Sequence, residues 1–226
     1  TLWTEQPIST YTNSGASAYF SFPTEPLADL PITTLDKGGY DPHILAFYYT
    51  WYGAPDGPER QLIHWPEGYT NTPLLGEYSS RTDSTLEAHV GWIRQAGIDS
   101  LILTWWGPND YTDITARDYL LPYLVNHGVN DITVTLYLER AENPDDLFSE
   151  LAYIYDTYGN HPNFLRIDGK PVVFFYGRVM GSFSLDEFAQ VFQQLEDSGR
   201  YMFFLADSLN SVFLSVFDGM HVYNPV

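Results

Sequence analysis

From residue 41 onward, short apolar runs alternate with longer stretches whose apolar residues recur every three or four positions. The apolar runs are Ile44–Tyr49, Ser100–Trp105, Ile132–Leu138, Val172–Tyr176, Met202–Ala206 and Gly219–Tyr223. Each predicts a strand buried on both faces. The stretches between them read as helices. Ser84-Thr85-Leu86-Glu87 has the form of a capping box, and Leu86, Val90 and Ile93 make an apolar stripe that ends at Gly97. A second helix is expected from Ala116 to Asn126, bent or restarted by Pro122. A third runs from Asp145 to Tyr158 with Leu147, Leu151, Ile154 and Tyr155 inward. Ser184-Leu185-Asp186-Glu187 opens a fourth, with Phe188, Val191, Phe192 and Leu195 behind it. A short helix near Leu209–Val216 follows the fifth strand.

Repeated βα units of about 30 residues predict an α/β fold with a parallel sheet under helical cover. Two architectures compete. A (β/α)8 TIM barrel spreads its functional groups around the C-terminal strand ends. A doubly wound sheet gathers them at one switch point. Here polar and aromatic clusters follow nearly every strand: Tyr49–Tyr52, Trp105-Trp106, Glu139-Arg140, Tyr176, Asp207 and Tyr223-Asn224. That distribution favours the barrel. No glycine-rich phosphate loop follows a strand, which weakens the nucleotide alternative. Six units are visible, so two C-terminal units are expected to be missing from a closed barrel. Residues 1–40, rich in Thr, Ser, Pro and Gly, read as an irregular leader or linker, and 41–226 as the incomplete barrel domain.

Composition narrows the partners. The 226 residues carry a net charge of −19. That balance excludes a nucleic-acid partner and an anionic membrane surface, and no apolar run reaches the ~18 residues of a membrane span. An acidic, lysine-poor surface suits a solvated shell and, more specifically, a halophilic source. An extracellular or cell-surface location is expected. The absence of cysteine excludes disulfides, thiolate metal sites and Cys nucleophiles. The chain opens at Thr1 without methionine, as a processed or excerpted chain would.

Aromatic residues make up 17% of the chain, and their placement carries the candidate chemistry. The first strand runs directly into Phe47-Tyr48-Tyr49-Thr50-Trp51-Tyr52-Gly53, with His64-Trp65 in the loop beyond. Buried Tyr and Trp need hydrogen-bond partners. Rings massed at a strand's C-terminal end therefore suit a surface that stacks on a flat, partly apolar object such as a sugar. Trp105-Trp106-Gly107-Pro108 closes the second strand, and strand alternation turns one ring to the core and the next to the mouth. Glu139, directly after the third strand, is the leading acid candidate, set against an ordinary ion pair with Arg140 or Arg178. Asp207 ends the fifth strand, but Asp-Ser before a helix is also a normal N-cap. Asp218 suits a turn, and His89 a structural role. His64 reads either as a surface histidine or as a partner for a sugar hydroxyl. No pair of histidines has metal-ligand spacing, and no Gly-x-Ser-x-Gly elbow occurs. No cofactor is expected.

Several stretches together resemble glycoside hydrolase family 99, the endo-α-mannosidases and endo-α-mannanases. They are Ala46–Gly53, His64-Trp65, Leu75-Gly76-Glu77-Tyr78-Ser79-Ser80-Arg81, Ala88-His89 with Ala96-Gly97-Ile98, Tyr158-Gly159-Asn160-His161-Pro162 and Phe217-Asp218-Gly219. They occur in the family's order over residues 44–223. The resemblance implies a (β/α)8 barrel and endo-acting, retaining hydrolysis of α-mannosidic linkages. It implies a 1,2-anhydro-sugar intermediate, formed by two glutamates without metal. It also implies that Trp106 lines a sugar subsite next to the cleavage point and that Glu139 contacts substrate. Tyr49 and Tyr223 fall in active-site segments.

The chain departs from the family pattern where catalysis is concerned. No Glu-Trp-x-Glu segment, the family's site of the catalytic pair, occurs in these residues. Tyr137 stands where the family has a histidine, and Gly177-Arg178 replaces an expected aspartate. The catalytic residues are therefore unassigned. Tyr49, Trp51, His64, Trp65, Trp106, Glu139 and Tyr223 are the expected substrate-binding residues for an oligosaccharide or polysaccharide. Two function classes stand: a hydrolase of α-mannosidic glycans, and a non-catalytic glycan-binding or structural module. A polysaccharide-biosynthesis accessory domain is a third reading.

Overall fold

The computed structural model describes residues 43–65 and 71–223. The leader expected over residues 1–40 lies outside them. Seven strands form: β1 (Leu45–Tyr48), β2 (Ser100–Trp105), β3 (Thr133–Leu138), β4 (Arg166–Ile167), β5 (Lys170–Phe175), β6 (Phe203–Asp207) and β7 (Gly219–His221). Six of them make one parallel sheet in the order β1-β2-β3-β5-β6-β7, and β4 pairs antiparallel with β5. All six expected strands are present, their ends shifted by a residue or two. The extra strand β4 comes from a two-residue hairpin at Asp168 (φ 51°) and Gly169 (φ 80°). Asp-Gly is a strong signal for that turn.

The sheet is curled. In a flat sheet, β1 and β7 would stand roughly 24 Å apart, five strand spacings. Instead the rings of Phe47 on β1 and His221 on β7 are 6.3 Å apart. Alternation along the strands then sorts side chains into two clusters. Leu101, Leu103, Trp105, Val134, Leu136, Leu138, Val173, Phe175, Phe204 and Ala206 face the helices. Ile102, Tyr137, Val172 and Phe174, with Phe47, Tyr176, Phe203 and Leu205, fill the concave face.

The helical cover is α1 (Asp83–Gln95), α2 (Tyr111–Thr115), α3 (Leu121–Asn126), α4 (Pro144–Tyr158), α5 (Gly177–Met180) and α6 (Leu185–Asp197). The Ser184 capping box forms as the sequence predicts, with both reciprocal hydrogen bonds. The one expected at Ser84 does not. Asp83 extends α1 backwards, and Thr82 becomes the N-cap, its hydroxyl donating to Thr85 Oγ1 at 2.9 Å. The second expected helix starts earlier, capped by Asp110, and widens into a π turn at Ala116–Leu120 before α3. Pro122 explains the widening. It has no N–H to continue the ladder, and Leu121 N–H reaches back five residues to Ala116 O instead. The helix expected near Leu209–Val216 is a 3-10 turn at Ser211–Ser215.

Candidate functional site

Side chains that point into the concave face near the C-terminal strand ends share one parity. The register pairs Thr104 with Tyr137, so Trp106 and Glu139, each two residues further on, follow on the same face. Asp207 and His221 are likewise paired, and Tyr223 continues that face. Tyr49, Trp51, Trp106, Tyr137, Glu139, Tyr176, Arg178 and Tyr223 line one hollow of about 350 Å³. A second hollow of about 240 Å³ is lined by Trp51, His64, Trp106, Asp110, Tyr111 and Thr112. Trp51 and Trp106 belong to both, so the two hollows meet across these indoles.

The rings are held in a chain. Tyr49 stacks on Trp51 at 4.7 Å, and Trp51 stacks on His64 at 5.2 Å. His64 takes the left-handed backbone region (φ 59°), a conformation that costs a non-glycine residue energy and here aims the imidazole at Trp51. The Arg178 guanidinium stands 5.3 Å from the Trp106 ring and 5.4 Å from Tyr176, within cation–π range. Trp106 is half-buried, whereas Trp105 is fully buried, as strand alternation predicts.

Glu139 is 7% exposed, and its Oε1 accepts from the Thr104 hydroxyl at 2.7 Å. Burial holds its carboxyl above the ordinary glutamate range, against the opposing pull of Thr104 and of the Arg178 charge. Asp207 is occupied structurally. Its Oδ2 accepts from Gly177 N–H at 3.0 Å and Tyr137 O–H at 3.2 Å, and its Oδ1 accepts from Tyr223 N–H at 3.0 Å. It is therefore a brace for the loops around the hollow. Asp218 caps the backbone of β6, accepting from Phe204 N–H at 2.8 Å.

Two buried carboxylates fix the surrounding loops. Asp113, fully buried, accepts five hydrogen bonds. They come from Trp105 Nε1 (2.9 Å), Tyr158 O–H (2.5 Å), Asn109 N–H (2.8 Å), Arg117 Nη1 (2.9 Å) and Tyr153 O–H (2.9 Å). With the Trp105 indole anchored this way, its neighbour Trp106 faces the mouth. Glu59 accepts from Tyr111 O–H at 2.7 Å and Ser79 O–H at 2.8 Å, and Arg81 lies 3.7 Å over the Tyr111 ring. This ties the loop after β1 to α2 and sets one wall of the second hollow.

Of the seven expected binding residues, five line the first hollow: Tyr49, Trp51, Trp106, Glu139 and Tyr223. His64 lines the second. Trp65 lines neither. Its indole donates to Tyr78 O at 3.0 Å and its ring packs on Tyr52 at 4.3 Å. The expected binding residues do not include Tyr137, Arg178 or the Asp110–Thr112 turn, although Tyr137 and Arg178 stand at positions where the chain departs from the family pattern. Tyr137 was within reach, since it lies two residues before Glu139 and shares its parity. A further hollow of about 360 Å³, between Tyr48, Tyr78, His89 and Trp92, sits on the helix side of β1. There His89 Nδ1 lies 2.6 Å from the Tyr48 hydroxyl, a structural bond. Among the described residues no group of three or more His, Asp or Glu could hold a metal ion, and no helix is long and apolar enough to cross a membrane.

The model of glycosyl hydrolase family 99 matches residues 67–199. The chain belongs to glycosyl hydrolase family 99. It is 35% identical to mouse glycoprotein endo-alpha-1,2-mannosidase over 54% of this chain and 32% of that protein. The frog Xenopus laevis protein of the same name is 30% identical over 68% of this chain and 41% of its own length. This family 99 chain thus spans well under half the length of the curated relatives it matches. The solved family 99 endo-alpha-mannosidase from Bacteroides thetaiotaomicron, in complex with bis-tris propane, superposes with a TM-score of 0.69 at 28% identity. That match covers 81% of this chain and 59% of that one. The curled six-strand sheet with its alternating helices is accordingly part of the family's (β/α)8 barrel.

Proposed function

We propose that this chain binds an α-mannose-type glycan across its strand-end hollows, within an endo-acting hydrolase that cleaves α-mannosidic linkages with retention. The observation that carries the reading is the convergence of Tyr49, Trp51, Trp106, Glu139 and Tyr223 on one hollow at the mouth of a family 99 sheet. Indole and phenol faces supply apolar area for sugar rings. Glu139, Arg178 and the tyrosine hydroxyls supply polar partners for sugar hydroxyls. The second hollow prolongs the first past Trp51 and Trp106, which suits a chain of sugars rather than one. The acidic composition extends the proposal to a salt-rich, extracellular setting.

A non-catalytic glycan-binding module is the second reading. One observation favours it: among the described residues lining the first hollow, Glu139 is the single carboxylic acid. Glycoside hydrolysis ordinarily uses two. The test is to titrate mannobiose while following tryptophan fluorescence, and separately to incubate the protein with α-mannan and assay released oligosaccharides. Binding with release supports the hydrolase. Binding without release supports the module. Absence of mannobiose binding by the folded protein ends both.

A further inference from the structure

Glu150, on α4, takes no part in the hollows, yet it is buried in an unusual way. It is 4% exposed, and among the described residues its Oε2 has no hydrogen-bond partner. It lies under the turn that follows Trp106. Gly107 there has φ +122°, open to glycine alone, and a Cβ built on it would sit 3.4 Å from Glu150 Oε1 and 3.8 Å from Arg140 Nη2. The two side chains therefore converge on the same turn. Arg140 in turn holds Trp106 directly, its Nε donating to Trp106 O at 3.1 Å, while its Nη1 reaches Glu142 Oε1 at 3.4 Å.

We infer that Glu150 is a positioning residue for the Trp106 platform: neutral, it leaves Arg140 on the Trp106 carbonyl, and ionised, it draws Arg140 away and loosens the ring. The inference rests on the reading of Trp106 as a glycan platform only for its effect on binding. The movement of the ring rests on the geometry of the turn and on the ionisation of Glu150, and needs no ligand.

The groups acting on Glu150 are few. Burial dominates and pushes its carboxyl up to about 8; Asp146 and Glu142 add to the rise, and Arg140 opposes it. The turn over it, Trp106-Gly107-Pro108-Asn109, carries no ionisable side chain. Removing the proton places a charge where water does not reach. Arg140, half-exposed and only loosely tied to Glu142, is the cation that acts on Glu150 among the described residues. The same carboxylate repels Glu142 and Asp146, which further favours recruiting the guanidinium.

The test uses the protein labelled with 5-fluorotryptophan, with the Trp106 resonance assigned by Trp106→Phe. Fluorine spectra are recorded from pH 6 to 9.5, alongside mannobiose titrations. In the wild type the Trp106 resonance should shift with a single midpoint near 8, and mannobiose affinity should fall about fivefold across it. Glu150→Gln, fixed in the neutral shape, should remove both changes. Arg140→Gln, at a half-exposed site, should remove them as well. A Trp106 resonance that stays still in the wild type, or moves equally in both variants, overturns the inference. A moving resonance without mannobiose binding at any pH sustains it while ending the glycan reading. Tight binding beside a still resonance does the reverse.

Discussion

The hydroxyls of Tyr49 and Tyr223 lie 2.5 Å apart, although the two residues extend the first and last strands of the parallel sheet. The contact joins the two edges of the curl across its mouth. It also places a phenol pair beside Glu139 in the first hollow. Burial, followed by the bond to Tyr223, raises the Tyr49 phenol above its ordinary range, so the Tyr49 hydroxyl stays protonated at neutral pH. Tyr49→Phe should keep the ring on Trp51 and remove the bond. We expect a cost of about 1 kcal/mol in mannobiose affinity, roughly fivefold, with little change in melting temperature. Isothermal titration checks the first value and calorimetry the second. An unchanged affinity would show that the pair braces the fold without meeting the ligand.

Trp105 and Trp106 are neighbours with opposite duties, and truncating each should separate stability from binding. Trp105 is fully buried and hydrogen-bonded to Asp113. Trp105→Ala should cost about 3–5 kcal/mol of stability, as large-to-small changes in a packed core do. Trp106 is half-buried and lines both hollows. Trp106→Ala should cost about 2 kcal/mol of binding, near thirtyfold, and much less stability. Denaturant melts and fluorescence titrations of the two variants check this. Equal mannobiose affinity in wild type and Trp106→Ala would remove Trp106 from the site.

The six parallel strands, helix alternation and the parity of the Trp pair were legible because burial on both faces writes continuous apolar runs into a parallel strand. The same parity could have found Tyr137 from Glu139. The loops were harder to read. Trp65 looks like His64 in sequence, yet His64 lines a hollow while Trp65 packs on Tyr52 and Tyr78, its indole N–H taken by Tyr78 O. Arg178 owes its place to α5, a single turn of helix with no periodic signal. Pro122 marks a break in its helix without fixing that the break is a π turn, and the Thr82 start of α1 depends on backbone bonds that no residue pattern specifies uniquely. Asp207 ends its strand as a candidate acid would, and only the three donors that meet it reveal a brace.

Asp113 is the group on which the loop after β2 depends. Its five donors would be left facing one another if the carboxylate were removed, with the partly exposed Arg117 losing its pair with a buried carboxylate. Asp113→Ala should destabilise by about 3–5 kcal/mol. Asp113→Asn keeps the shape but sets an amide N–H₂ against donors, and should fall between the two. Chemical denaturation of both variants measures this. A loss below about 1 kcal/mol in Asp113→Ala would mean that solvent replaces the network at little cost.

The net charge of −19 gives a prediction about salt. Like charges repel across the surface, and screening shortens their reach to about 3 Å at 1 M ionic strength. The melting temperature should therefore climb as sodium chloride is raised from low ionic strength to 1 M. The Arg94–Asp131 and Arg200–Asp156 pairs are exposed and weaken over the same range, but each such pair is worth little. Calorimetry over a salt series checks the direction, and a flat or falling curve would remove the argument for a salt-rich habitat.

Glu150 also makes stability depend on pH, independently of any ligand. Its folded-state carboxyl titrates at about 8, against 4.5 for the ordinary group. Between these values the folded protein holds a proton that the unfolded chain has released. Unfolding then releases that proton, so stability falls as pH rises through the window and levels off above about 8. The loss from this group should be on the order of 2 kcal/mol, less than the whole shift implies, because the Arg140 charge offsets part of the burial cost. Glu150→Gln keeps the volume and removes the titration. Its denaturation free energy, compared with the wild type at pH 5 and pH 8.5, should match more closely at the lower pH and exceed the wild type at the higher. Parallel curves for the two proteins would mean that the carboxyl is already ionised in the folded state, with Arg140 neutralising it.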